Sequence, residues 1–177
     1  YESGEITGPA DLAGQIVVAN RAGNDGYFLH SYLAEAGLTF DDIQLCDLPT
    51  TGYIDAFDNK SVAALVVPEL HISRLISAGN AVLLAGAEDY ASPAQLALLL
   101  FGKNLLVDNP EIGVRFMAAY LKGVKQYNEG KTERNLQIMA DITGETIELL
   151  QTSCWLPISI DGEIDFSGVI NFQHWAI

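Results

Sequence analysis

The stretch QIVVANRAGNDGYFLHSYLAEAG, Gln15 to Gly37, decides the fold class. Gln15–Asn20 is an apolar run with polar ends, which reads as a buried strand. Phe28, Leu29, Tyr32, Leu33 and Ala36 then recur on one face, which predicts a helix over Asp25–Ala36. Gly37 follows, where a helix ends readily in the left-handed conformation. Strand, short loop and amphipathic helix make the first half of a strand–helix–strand unit.

The pattern repeats downstream. Ile43–Leu48 reads as a second strand, Thr51–Asp58 as a short helix and Val62–Val67 as a third strand. The continuous apolar character of Val62–Val67 suits a parallel sheet covered on both faces. Glu69–Ser77 is predicted helical and Ala81–Ala85 a fourth strand. Such alternation implies right-handed crossovers and a doubly wound parallel α/β sheet.

Near residues 95–105 the composition shifts. Leu96–Phe101 reads as one more buried strand. Asn109 and Pro110 open a helix whose stripe Ile112, Phe116, Tyr120, Val124 and Tyr127 is expected to be packed. Further helices are expected from Thr132 to Gly144 and through Ile147–Leu150. A small hairpin is expected around Ile158–Ile164, and a last amphipathic helix at Phe172–Ile177. Two domains follow from this pass: an α/β lobe over residues 1–95, and a strand with a helical return segment over residues 96–177.

In an open parallel sheet, ligands bind beyond the carboxyl ends of the strands, where helices begin. That rule selects Asn20, Arg21, Gly23, Asn24, Asp25, Gly26 and Tyr27 after the first strand, Thr50 and Thr51 after the second, and Glu69 and His71 after the third. Helix starts offer free N–H groups, and Gly23 and Gly26 let backbone come close to a ligand. Asn24, Asp25, Thr50, Thr51 and Glu69 are equally readable as helix caps or first-turn acids, and Tyr27 as core. Asp25 and Glu69 form a candidate polar pair across neighbouring strand ends. No GxGxxG, Walker lysine, GxSxG or HExxH is present, and His30, His71 and His174 have no metal spacing. No cofactor, metal or catalytic set is therefore expected.

The chain has 177 residues and a formal charge of −14, from 23 acids against 9 bases. Without a Lys/Arg cluster, nucleic acid and anionic membrane surfaces are poor partners. The run Leu96–Phe101 is too short to cross a membrane. Cys46 reads as a core residue, and the Cys46 and Cys154 spacings suit no zinc site. The chain opens on Tyr1 without a signal segment and closes inside the last predicted helix, so the natural protein is expected to continue at both ends.

Several segments resemble a known family. Asp11-Leu12-Ala13-Gly14-Gln15 resembles a "DLKGK" opening, and Gly37-Leu38-Thr39-Phe40-Asp41-Asp42-Ile43 a "GLTLDDV" segment. Ala56–Ala64 resembles "ALENGEVDAA", Glu69 matches the acid of a "WEP" motif, and Phe116–Gly123 resembles the helix after a crossover. In this order they resemble the ABC-importer solute-binding proteins of the nitrate, sulfonate and thiamine-precursor group, with the type II periplasmic binding protein fold. The chain departs from the pattern where Pro68-Glu69-Leu70-His71 replaces Trp-Glu-Pro-aromatic, and where Lys60 stands at a usual glycine.

The resemblance implies two lobes that close on a ligand, with residues 1–95 as lobe two and residues 96–177 as the return into lobe one, whose first half is absent. It implies a small-molecule solute, an ABC permease as partner, and a periplasmic or extracellular setting with a membrane anchor on the full-length protein. Arg21 and the helix starts favour an anion; Asp25 and Glu69 oppose one, since an unpaired buried carboxylate beside it costs about 3–5 kcal/mol. A neutral or donor-rich heteroaromatic solute fits better. The alternatives are an enzyme on the same fold, resembling pyrimidine synthases or menaquinone-pathway enzymes, and the sensor domain of a transcription regulator. Half a lobe would leave apolar faces bare, which predicts a dimer, an exchange of elements, or an ordered part of a longer chain.

Overall fold

Val17 and Val18 point to opposite sides of a three-stranded parallel sheet, and each is fully buried. The computed structural model describes residues 6–79, 81–90 and 97–177. Strand β1 (Ile16–Val18) lies between β2 (Gln44–Cys46) and β3 (Ala64–Leu65), in the order β2-β1-β3. Val18 pairs with Cys46 on one side and with Leu65 on the other. Helix α1 (Asn24–Ala34) joins β1 to β2, and α2 (Tyr53–Asp58) leads to β3. Helix α3 (Glu69–Ser77) follows β3, and α4 (Ala87–Tyr90) is a single turn.

Each face of the sheet has its own core. Val17 and Ala19 pack with Leu12, Leu29, Tyr32, Leu33 and Ile43, which puts α1 over one face. Val18 packs with Tyr53 and Val62, which puts α2 over the other. Burying each of these aliphatic side chains contributes about 1.5–3 kcal/mol. A sheet covered on both faces explains why its strands read as unbroken apolar runs. Cys46 is half-buried against the second core; neither it nor the exposed Cys154 is in a disulfide.

The helix ends follow from sequence chemistry. At the end of α1, Gly37 takes φ +70°, the Leu38 N–H donates to the Leu33 carbonyl and the Gly37 N–H to that of Ala34. The end of α2 uses the same double bond without a glycine: Ser61 N–H donates to Ala56 and Lys60 N–H to Phe57, with Lys60 at φ +54°. Lys60 is the non-glycine residue held in the left-handed region among the described residues.

Two clusters of contacts divide the chain. Residues 1–96 with Asp165–Ile177 form one unit, and Ala97–Ile164 the other. The first unit thus includes α8 (Phe166–Ala176), whose N-cap Asp165 accepts from the Ser167 and Gly168 N–H groups. The second contains α5 (Pro110–Tyr127), α6 (Glu133–Thr143) and α7 (Ile147–Thr152). Buried Asn135 knits α5 to α6, donating to the Gln126 and Gly130 carbonyls and accepting from the Gln126 amide. Tyr127 stacks on Trp155 at 5.3 Å.

Several expectations are corrected. Ala81–Ala85 is irregular, with Val82 67% exposed; Leu84 and Ala85 still pack on the α1 core. Residues 97–101 are also irregular and Leu100 is 84% exposed, while Leu96 lies outside the described residues. Apolar runs become strands only beside a hydrogen-bonding neighbour, and among the described residues the sheet stops at β3. No hairpin forms at Ile158–Ile164. Instead the Asn128 amide bonds both the N–H and the carbonyl of Ile158, and Asp161 accepts from the Glu163 N–H. The α5 stripe is packed only in part: Val124 is buried and Phe116 meets Phe101 edge-on, but Ile112 and Phe116 are each 46% exposed.

Lys60 offers a direct check. A non-glycine residue in the left-handed region costs about 1–2 kcal/mol, partly offset by the greater chain entropy that glycine brings to the unfolded state. Lys60→Gly is expected to stabilise the fold by about 0.5–1 kcal/mol in urea denaturation. A loss of stability would contradict the strain.

Candidate functional site

Parallel pairing brings the carboxyl ends of β1, β2 and β3 to one sheet edge, and the segments after them carry the candidate residues. The bonds Ala19 N–H to Cys46 O (3.1 Å) and Val66 N–H to Val18 O (2.9 Å) hold that edge together.

The loop between β1 and α1 is built by its own short hydrogen bonds. The Asn20 side-chain oxygen accepts from Ala22 N–H at 3.1 Å, and its carbonyl from Gly23 N–H at 3.3 Å. The loop then folds back over the first turn of α1. A Cβ on Gly26 would lie 2.2 Å from the Arg21 carbonyl oxygen and 2.9 Å from that of Asn20. At Gly26 the close approach is therefore made by the chain's own backbone. Gly23 caps α1 without a side chain, and Asn20, Arg21 and Asn24 are exposed. The Arg21 guanidinium lies over the Phe40 ring, 5.1 Å from its centre.

Asp25, half-buried in the first turn of α1, is the electrostatic centre of the edge. Burial raises its carboxyl above the ordinary aspartate value; the Asn20 backbone N–H pulls it down, and the charge of Asp47 pushes it up again. Asp47 is the first residue beyond β2. Tyr53, buried at the start of α2, has its phenol raised by burial first and then by the charges of Asp25 and Asp47. Two carboxylates and a phenol thus interact beyond the ends of β1 and β2. The two carboxylates accept hydrogen bonds and attract positive charge, while the protonated phenol can donate as well as accept.

The other candidates are placed as follows. Thr50 opens the turn Thr50–Gly52 before α2, and Thr51 within it is exposed. Glu69 begins α3 and accepts from the Ser73 hydroxyl one turn along its own helix. His71, in the same turn of α3, has a buried Nδ1 without a hydrogen-bond partner among the described residues. An unmet buried polar atom costs about 1–3 kcal/mol. The Tyr27 ring packs on Phe172 and Trp175 of α8, each at 5.5 Å. The carboxylate whose charge reaches Asp25 is Asp47, a partner the strand-end reading passed over.

A model of the family described as NMT1/THI5 like matches residues 1–130, most of the chain. The chain belongs to the NMT1/THI5-like family. No curated protein matches it significantly. Among solved structures it is similar to the alkanesulfonate-binding protein SsuA from Xanthomonas axonopodis pv. citri bound to MOPS, at 19% identity and TM-score 0.69, over 96% of this chain and 58% of that one. It is also similar to the periplasmic aliphatic sulphonate binding protein SsuA from Escherichia coli, at 19% identity and TM-score 0.71, over 99% of this chain and 56% of that one. The fold of this NMT1/THI5-like chain is that of the type II periplasmic binding proteins, and it spans a little over half the length of those two.

Sequence reasoning missed Asp47 and Tyr53. Asp47 falls inside the expected strand Ile43–Leu48, whereas β2 ends at Cys46 and leaves Asp47 just beyond it. Tyr53 lies within the expected helix Thr51–Asp58, and its hydroxyl gives no separate signal in the sequence. Phe40 and Trp175 meet Arg21 only through the fold, since 135 residues separate Phe40 from Trp175 (175 − 40).

The raised carboxyl of Asp25 gives a pH test. A group raised in the folded state contributes stability below its unfolded value, 3.8, and loses it as pH rises through the folded one. Asp11, Asp42, Asp161 and Asp165, held low chiefly by hydrogen bonds, behave oppositely and are common to parent and variant. Asp25→Asn is expected to raise Tm at pH 7 by on the order of 1–2 °C, the partly exposed site limiting the effect, and to leave Tm near pH 3 unchanged. An equal shift at both pH values would contradict the assignment.

Proposed function

We propose that this chain is part of the solute-binding component of an ABC importer, capturing a small organic molecule for a permease and performing no chemistry. Membership of the NMT1/THI5-like family and the likeness of fold support this reading. Residues 1–95 would be the ligand-binding lobe two, and residues 96–177 the return into lobe one. The setting would be extracytoplasmic, with a membrane anchor on the complete protein. Among the described residues, no helix is long and apolar enough to cross a membrane.

The solute site would lie beyond the carboxyl ends of β1, β2 and β3. Its candidate contacts are Asn20, Asn24, Asp25, Thr50, Thr51, Glu69 and His71, joined by Asp47 and Tyr53. The observation that carries the choice of solute is Asp25, half-buried and facing the charge of Asp47. A sulfonate there would meet two carboxylates. A flat heteroaromatic carrying N–H donors or a positive charge would relieve their repulsion.

Isothermal titration at pH 7 tests the reading. Aminopyrimidines are expected to bind saturably, and ethanesulfonate not to bind. Asp25→Asn should weaken the aminopyrimidine at least tenfold, about 1.4 kcal/mol. Saturable ethanesulfonate binding without aminopyrimidine binding would overturn it.

A further inference from the structure

Arg21 is left over by an acidic solute site, and its surroundings differ sharply from that edge. In a chain with 23 acids for 9 bases, its guanidinium has no carboxylate partner among the described residues. Its contact is the Phe40 ring, at 5.1 Å. A cation over a ring face keeps its N–H edges free, and a guanidinium has five such donors in a fork that matches an oxyanion.

The same arginine lines a half-open cavity of about 250 Å³ with Ala22, Phe40, Trp175 and Ala176. All five belong to the first unit. Trp175 is steadied by Tyr27 at 5.5 Å and Phe172 at 5.3 Å. The His30 ring lies 6.0 Å from Phe40 and 6.3 Å from Trp175. One free planar cation therefore stands among aromatic walls. The volume lies just under the usual range for ligand pockets, which limits the occupant to about one ring.

We propose that this cavity is a second binding site, selective for a small aromatic acid: one flat ring bearing a carboxylate or sulfonate. The oxyanion pairs with the Arg21 fork, and the ring lies against Trp175. An aliphatic anion uses the guanidinium and leaves the indole uncovered. A neutral ring does the reverse, and a cation is repelled. The charge preference is opposite to that of the Asp25 edge, so the two sites take different molecules and fail independently.

Ligand-observed NMR and titration calorimetry on the whole chain test this, with benzoate and benzenesulfonate as probes and acetate and benzamide as controls. At least one aromatic acid is expected to bind with Kd of about 1 mM or tighter, and both controls at least tenfold more weakly. Arg21→Gln should weaken the aromatic acid tenfold or more, and Trp175→Leu several-fold. Arg21 is exposed, so its replacement leaves the fold intact, as circular dichroism would verify. Absence of saturation by about 10 mM, equal binding of acetate, or undiminished binding by Arg21→Gln would each overturn the proposal.

Discussion

A single steric constraint sets the geometry of the candidate edge: nothing larger than hydrogen fits on Gly26. The Arg21 carbonyl oxygen occupies the place of a Cβ there, 2.2 Å from where that atom would stand. The chain leaving β1 is therefore folded tightly onto the first turn of α1. That one approach sets where Asp25 and Tyr27 emerge, one on each side of Gly26. It also fixes the backbone of Arg21, whose side chain runs to Phe40. A larger residue would push the loop off the helix and separate all three.

The electrostatics of the edge are a contest that burial wins. An acid in the first turn of a helix ordinarily sits comfortably at the positive end of the dipole. Asp25 sits there and accepts from a backbone N–H, yet its carboxyl is raised, because it is half removed from water and faces Asp47. The residue weakens the empty fold at neutral pH. A protein retains such a group readily when something else compensates it, and the donor-rich solute proposed above would do so. Arg21, the nearest cation in sequence, makes no ion pair with it among the described residues, its side chain running to Phe40.

Much of this was legible in the sequence, and the pattern of failure is physical. Helix ends were readable because their chemistry is local: Glu69–Ser77 was expected and found, Thr132 caps α6, Gly144 ends it in the left-handed region, and Lys60 was singled out at a glycine position. The parallel sheet was readable from runs buried on both faces. Strands at Ala81–Ala85 and Leu96–Phe101 were not safely readable, because an apolar run does not reveal whether a partner strand exists. The α5 stripe shows the same limit, since periodicity gives a face and not its cover. At the candidate edge, the expected strand Ile43–Leu48 runs past the real end of β2 at Cys46 and so hides Asp47. The aromatic rings beside Arg21 include Trp175 of α8, from the far end of the chain, and no local pattern encodes that.

The central claim is that the Asp25 carboxyl faces the solute. NMR titration of its side-chain carbon, with and without a saturating aminopyrimidine, tests that most directly. Without ligand the midpoint should lie above the ordinary aspartate value of 3.8, and with ligand it should fall as the donor stabilises the charged form. An ordinary midpoint in the free chain, or one that does not move when the ligand binds, would contradict the account.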